Sequence, residues 1–167
     1  MAIGRFLAGV GALIWDNSRE RYLIVRRSES KDFAPGAWEC VTGRVDQGEG
    51  FEAAVYREVN EELGISIYPQ YILGTTHFYR GEAVPDNEMV GVIYYCETDG
   101  EIKVRLSAEH SEYRWVRAEE AYALLSNSVH PTEGWLGRVI RRAESINAVV
   151  PREALKKLSL EGFELDS

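Results

Sequence analysis

The stretch GRVDQGEGFEAAVYREVNEELGI, Gly43 to Ile65, places Glu58, Glu61 and Glu62 within five positions. Val55, Val59 and Leu63 recur at helical spacing and Gly64 is a favoured stop residue, which predicts a helix from about Phe51 to Leu63. At about 100° per residue the three glutamates share an arc of about 100°, next to the arc of Val55, Val59 and Leu63. The carboxylates therefore stand at the rim of the buried face. Like charges at i,i+3 and i,i+4 repel, so the cluster needs either full solvation or a cation. Two readings stay open at this point. One is an ordinary Glu-rich solvated face; the other is an oxygen-rich site for Mg2+ or Mn2+.

The rest of the chain narrows the function classes. With 167 residues it has the length expected of a single domain, spanning 1–167, that buries a full core. A net charge of −8 argues against a nucleic-acid polymer as partner, because such proteins present a basic face. Small phosphorylated ligands remain compatible, since 15 of the 19 basic residues are Arg, whose fork suits phosphate. No apolar run approaches the ~20 residues that span a bilayer. The apolar start MAIGRFLAGVGALIW lacks an early basic cluster and a small-residue cleavage site, and it reads as a first strand. Cys40 and Cys96 both lie in apolar strand-like runs, as reduced core thiols would, and a cytoplasmic location is the expectation.

Strand patterns follow at FLAGVGALIWD, YLIVRRS, WECVT, YPQYILGTTHFYR and EMVGVIYYCET, then a short one in DGEIKVRLS and another in SEYRWV. AEEAYALLS and TEGWLGRVIRRAES read as amphipathic helices, and PREALKKL as a last one with Pro151 in its first turn. Hairpin-length links outnumber helical crossovers, so the sheet of this α/β chain is expected to be antiparallel or mixed.

Gly43, Glu49 and the run Arg57-Glu58-Val59-Asn60-Glu61-Glu62-Leu63-Gly64-Ile65 match every fixed position of the Nudix box. ALIWDNSRERYLIVRRSE resembles that family's opening hairpin, GAWECVTGRVDQGE its approach to the box, and EHSEYRWVRAEEA its later segment. The resemblance implies the Nudix α/β/α sandwich around a mixed sheet. It also implies hydrolysis of a diphosphate linkage in a nucleoside diphosphate joined to a group X, with water as nucleophile and Mg2+ or Mn2+ as cofactor. Carried onto this chain, Glu58 and Glu62 resemble the principal metal ligands, Glu61 a direct or water-mediated one, and the Gly43 carbonyl a further one. Arg57 resembles the arginine that pairs with a box glutamate, here Glu49, and braces the loop against the helix. The three histidines, His77, His110 and His130, are scattered, and no G-x-S-x-G elbow offers a competing nucleophile.

The family often draws one more acid from outside the box. Glu109 occupies that position in relatives with the E-H…Y-R-W pattern, with Glu112 second and Glu88 third. Arg26, Arg27 and Arg80 are candidate phosphate contacts, each also readable as solvated surface. Trp115 reads as core, and Trp38 as either core or a stacking platform. Val-Thr-Gly before the box resembles the dATP/dihydroneopterin triphosphate pyrophosphohydrolase branch, which favours a nucleoside triphosphate as substrate. IKVRLSAEHSEYRWVRAEEA is also similar to diadenosine tetraphosphate hydrolases, although Gly81, Glu82 and Ala83 stand where that branch tends to carry a tyrosine. The proline of ADP-ribose pyrophosphatases is replaced by Arg80. A non-catalytic nucleotide-sensing module shares the fold but usually loses box carboxylates, and the box is intact. An isopentenyl-diphosphate isomerase would need a Cys and Glu context that Cys40 does not offer. The resemblance leaves room for a homodimer.

Overall fold

The strand Leu7–Asp16 (β1) is apolar along nearly its whole length and sits at the centre of the sheet, buried on both faces. A computed structural model describes residues 4–100, 102–128 and 130–165. Among these, β1 is followed by β2 (Arg21–Arg27), β3 (Trp38–Glu39), β4 (Val41–Arg44) and α1 (Phe51–Leu63). Then come β5 (Tyr68–Tyr79), β6 (Glu88–Thr98), β7 (His110–Val116), α2 (Ala118–Leu125), α3 (Pro131–Val149) and α4 (Arg152–Leu160). The sheet order is β3-β2-β1-β6-β5, with β4 also paired to β1 and β7 to β2. Only the β1–β6 ladder is parallel, running from Leu7↔Met89 to Asp16↔Thr98, so the sheet is mixed.

Alternation along β1 and β2 supplies two cores. Val10, Ala12, Ile14, Leu23 and Val25 face α1 and meet Val55, Val59 and Leu63. Leu13, Tyr22, Ile24, Leu73 and Ile93 face the other way, against Leu136 and Ile140 of α3 and Leu155 of α4. Helices thus cover both faces, the α/β/α arrangement. No helix of the described residues is long and apolar enough to cross a membrane.

Gly64 ends α1 in the left-handed region, φ 64°, and its N–H returns to the Asn60 carbonyl at 2.9 Å. Three local expectations need correction. Cys40 interrupts the expected strand WECVT, leaving β3 and β4 on different neighbours. Pro151 caps α4 from outside its first turn, and α3 runs on to Val149. The described part of DGEIKVRLS, 99–100 and 102–107, forms no strand, and Glu101 lies outside the described residues. Instead the N–H groups of Arg105 and Ser107 donate to the carbonyls of Leu63 and Glu62, at 2.8 and 2.9 Å, satisfying the end of α1.

Leu136 is fully buried between α3 and the sheet. Leu136→Ala is expected to cost about 2–5 kcal/mol of stability, the range for a buried Leu truncated to leave a cavity. An unchanged urea midpoint would contradict this packing.

Candidate active site

The box residues converge where α1 crosses β4. Glu58 lies flat against Gly43, where an added Cβ would land on the Glu58 carboxylate. Close approach is thus what position 43 requires. Glu58 Oε1 accepts from the Arg44 N–H and from Arg57 Nη1, both at 3.0 Å. Arg57 also grips Glu49 with two bonds, Nε to Oε1 at 2.9 Å and Nη2 to Oε2 at 2.8 Å, and donates to the Arg44 carbonyl at 2.8 Å. One guanidinium therefore ties the loop 44–49 to the helix. It holds the Glu49 carboxyl down at about 2. Burial pushes Glu58 up from the usual carboxylate range, and Arg57 partly offsets it.

The three box glutamates differ in depth. Glu61 is exposed and reaches only Arg57, at 3.4 Å. Glu62 is 4% exposed, and its Oε2 has no hydrogen-bond partner. Burial, then the charges of Glu39, Glu58 and Glu109, push the Glu62 carboxyl up to about 9.

Two groups beside Glu62 escaped the sequence reading. Glu39, at the end of β3, is buried; it pairs with Arg27 Nη1 at 2.7 Å and accepts from the Thr42 hydroxyl at 3.2 Å. His110, the first residue of β7, has Nε2 3.4 Å from Glu39 Oε1 and Nδ1 3.6 Å from Glu62 Oε2. The available signal was an acid inside an otherwise apolar strand, since a buried Glu is rare without a partner.

The three arginines named as candidate phosphate contacts are engaged with the loop Ser28–Ala37. Arg26 Nε donates to the Gly36 carbonyl at 2.9 Å. Arg27 is buried against Glu39 and donates to the Phe33 carbonyl at 2.8 Å, leaving it unable to reach solvent. Arg80 pairs with Asp32 at 3.3 Å and lies over the Phe33 ring, 5.6 Å from its centroid. The same loop carries Lys31, whose ammonium sits 2.7 Å from Glu109 Oε2 and holds that carboxyl below its ordinary range. Glu109 is near enough to Glu62 to raise it. Glu112 instead pairs with Arg114 at 2.7 Å, and Glu88 contacts His77 at 2.9 Å. Trp38 is buried in the α3-side core, and Trp115 is half-buried on the α1 side beneath the Arg19 guanidinium.

These donors fit a hard divalent cation. Glu58 and Glu62 are i,i+4 neighbours, and Glu62 Oε2 is a buried acceptor lacking any donor. Among the described residues no three acidic, His or Cys side chains are grouped closely enough to hold a metal ion between them, so the site offers two carboxylates and the Gly43 carbonyl rather than a full protein cage. Mg2+ suits such a site, because it keeps several waters and takes one or two carboxylates.

The NUDIX domain family matches residues 5–139. The chain belongs to that family. It is 35% identical over 126 residues to an octanoyltransferase of Myxococcus xanthus, covering 74% of this chain and 32% of that protein. It is 32% identical over 123 residues to the NAD-capped RNA hydrolase NudC of Stutzerimonas stutzeri, covering 71% and 42%. The chain thus spans less than half the length of these two relatives. The nucleoside triphosphatase NudI of Escherichia coli O139:H28 is 27% identical over 106 residues, covering 59% of this chain and 74% of that protein. Among solved structures, the MutT protein of Methanosarcina mazei Go1 superposes with a TM-score of 0.70 at 26% identity, over 88% of this chain and 99% of that one.

A carboxyl whose folded pKa is about 9 against an ordinary 4.5 retains its proton in the folded state after the unfolded state has lost it. Its contribution to stability is complete below pH 4.5 and is lost as pH rises toward 9. The melting temperature of metal-free protein should therefore fall more steeply over this window than that of Glu62→Gln. Parallel pH profiles for the two proteins would refute the burial of an ionisable Glu62.

Proposed function

We propose that the chain is a Mg2+- or Mn2+-dependent pyrophosphohydrolase acting on a small nucleoside diphosphate derivative, with a nucleoside triphosphate as the favoured substrate. The observation that carries this reading is Glu62, a buried carboxylate with an unpartnered oxygen beside Glu58. Glu58 and Glu62 would hold the ion, with the Gly43 carbonyl as a further ligand and Glu61 acting through water. Bound there, the ion neutralises phosphate oxygens and acidifies a water, which phosphoanhydride hydrolysis requires. Arg57 acts indirectly, fixing Glu58 and the loop through Glu49.

We assign Glu109 the role of receiving the proton from the attacking water, supported by its nearness to Glu62. Its bond to Lys31 keeps it ionised and lowers its basicity, so that role needs the ion pair to open. Nucleoside triphosphate is favoured by the likeness to NudI and by the Val41-Thr42-Gly43 approach to the box. The net charge of −8 supports a small nucleotide over a nucleic-acid polymer, and the buried free thiols of Cys40 and Cys96 support a cytoplasmic setting.

Purified protein with Mg2+ or Mn2+ should release pyrophosphate or phosphate from a panel of (d)NTPs, dinucleoside polyphosphates and ADP-ribose. Glu62→Gln should lower turnover by at least about 100-fold while preserving a cooperative melt, as loss of a direct ligand exceeds loss of an outer partner. Turnover by Glu62→Gln at the wild-type rate would overturn the metal assignment.

A further inference from the structure

Among the described residues, two buried side-chain polar atoms lack a partner: Glu62 Oε2 and His110 Nδ1. They face each other at 3.6 Å, just beyond hydrogen-bonding reach. Leaving a buried polar group unpaired costs about 1–3 kcal/mol. A matched acceptor and ring nitrogen, both unpaired and adjacent, describe a bond that closes when one of them moves.

The ring cannot turn away to relieve this. Its Nε2 lies 3.4 Å from Glu39 Oε1, and Glu39 is itself fixed by Arg27 at 2.7 Å and by the Thr42 hydroxyl at 3.2 Å. Arg27 is anchored in turn by the Phe33 carbonyl. The backbone adds a second constraint: His110 N–H donates to the Ser107 carbonyl, and Ser107 N–H donates to the Glu62 carbonyl at 2.9 Å. Arg27, Glu39 and His110 thus form a buried row that ends on the side chain of Glu62.

We infer that His110, held by Glu39, is a positioning residue for Glu62. Closing the short gap between Nδ1 and Glu62 Oε2 makes the ring the partner of that oxygen, and so selects the rotamer that presents the other oxygen to a divalent ion. The inference rests on the metal reading above. It assigns purpose to two residues outside the box, and the partners that orient a metal ligand commonly affect affinity as well as rate.

The two ring nitrogens can be tested separately. The amide nitrogen of Asn falls near the place of Nδ1, and that of Gln near Nε2. Mn2+ binding to the full chain, read from the free-ion EPR signal, should be about 10–100-fold weaker in His110→Gln and in Glu39→Gln than in wild type. His110→Asn should stay within about threefold of wild type, because a hydrogen-bonding group toward Glu62 is kept. Melting of the metal-free proteins reports folding, and the contrast between His110→Asn and His110→Gln carries the test if Glu39→Gln, which leaves the buried Arg27 charge uncompensated, fails to fold. Wild-type affinity in Glu39→Gln and His110→Gln, or equal losses in His110→Asn and His110→Gln, would overturn the inference. A wild-type protein that binds no Mn2+ would instead overturn the metal reading itself.

Discussion

The structure around the box is organised by one electrostatic demand: four carboxylates, Glu39, Glu58, Glu62 and Glu109, share a small volume at the end of the sheet. Three of them have a nearby cation. Arg27 serves Glu39, Arg57 serves Glu58, and Lys31 serves Glu109. Among the described residues Glu62, the most deeply placed of the box glutamates, has neither an arginine nor a lysine within ion-pair distance, and burial pushes its carboxyl up to about 9. The cluster is balanced everywhere except at Glu62, the position that the proposed reading gives to a dication. In that reading the unsatisfied acceptor is what favours binding of the ion.

The fold supplies this arrangement through backbone bonds as much as through side chains. α1 packs Val55, Val59 and Leu63 onto β1 and β2, which turns Glu62 inward and leaves Glu61 outside. The free carbonyls at the end of α1 receive the N–H groups of Arg105 and Ser107, so the chain leading to Glu109 and His110 is drawn across the helix end. From the other side, Arg26, Arg27 and Arg80 all hold the loop Ser28–Ala37, which positions Lys31 over Glu109. Two segments far apart in sequence therefore meet at one carboxylate.

The reach of the sequence has physical limits that particular residues expose. Spacing from Gly43 to Ile65 and the 3.6 period of Val55, Val59 and Leu63 specify α1, because both are local properties of a helix. Glu39 and His110 could not be placed in the same way. Their proximity to Glu62 depends on the β2–β3 and β2–β7 registers, which set Glu39 opposite Val25 and His110 opposite Arg27. The partners of Arg26, Arg27 and Arg80 were illegible for a related reason: a guanidinium near a site binds a ligand or a loop carbonyl equally well, and composition does not distinguish them. The segment 102–107 shows a third limit. Ile102, Val104 and Leu106 alternate inward against the α1-side core, as strand residues do. A period of two reports an extended backbone with one buried side, not the identity of its hydrogen-bond partner, and here the partner is a helix end.

The ion pairs around the cluster also differ in how readily they exchange. Arg27–Glu39 is almost wholly buried, so breaking it would strand a charge at a cost of about 3–5 kcal/mol. Lys31–Glu109 is much more exposed, with side chains 25% and 48% accessible, and pairs of that kind contribute about 0–1 kcal/mol. An anionic phosphate chain entering the site can therefore compete for Lys31 but not for Arg27. Capture of Lys31 by phosphate would release Glu109, remove the hydrogen bond that lowers its basicity, and leave it free beside the attacking water. If Glu109 is the base, as proposed, the same exchange would bring a cation to the substrate and a base to the reaction. The buried Arg27–Glu39 pair, by contrast, keeps Glu39 fixed beside His110.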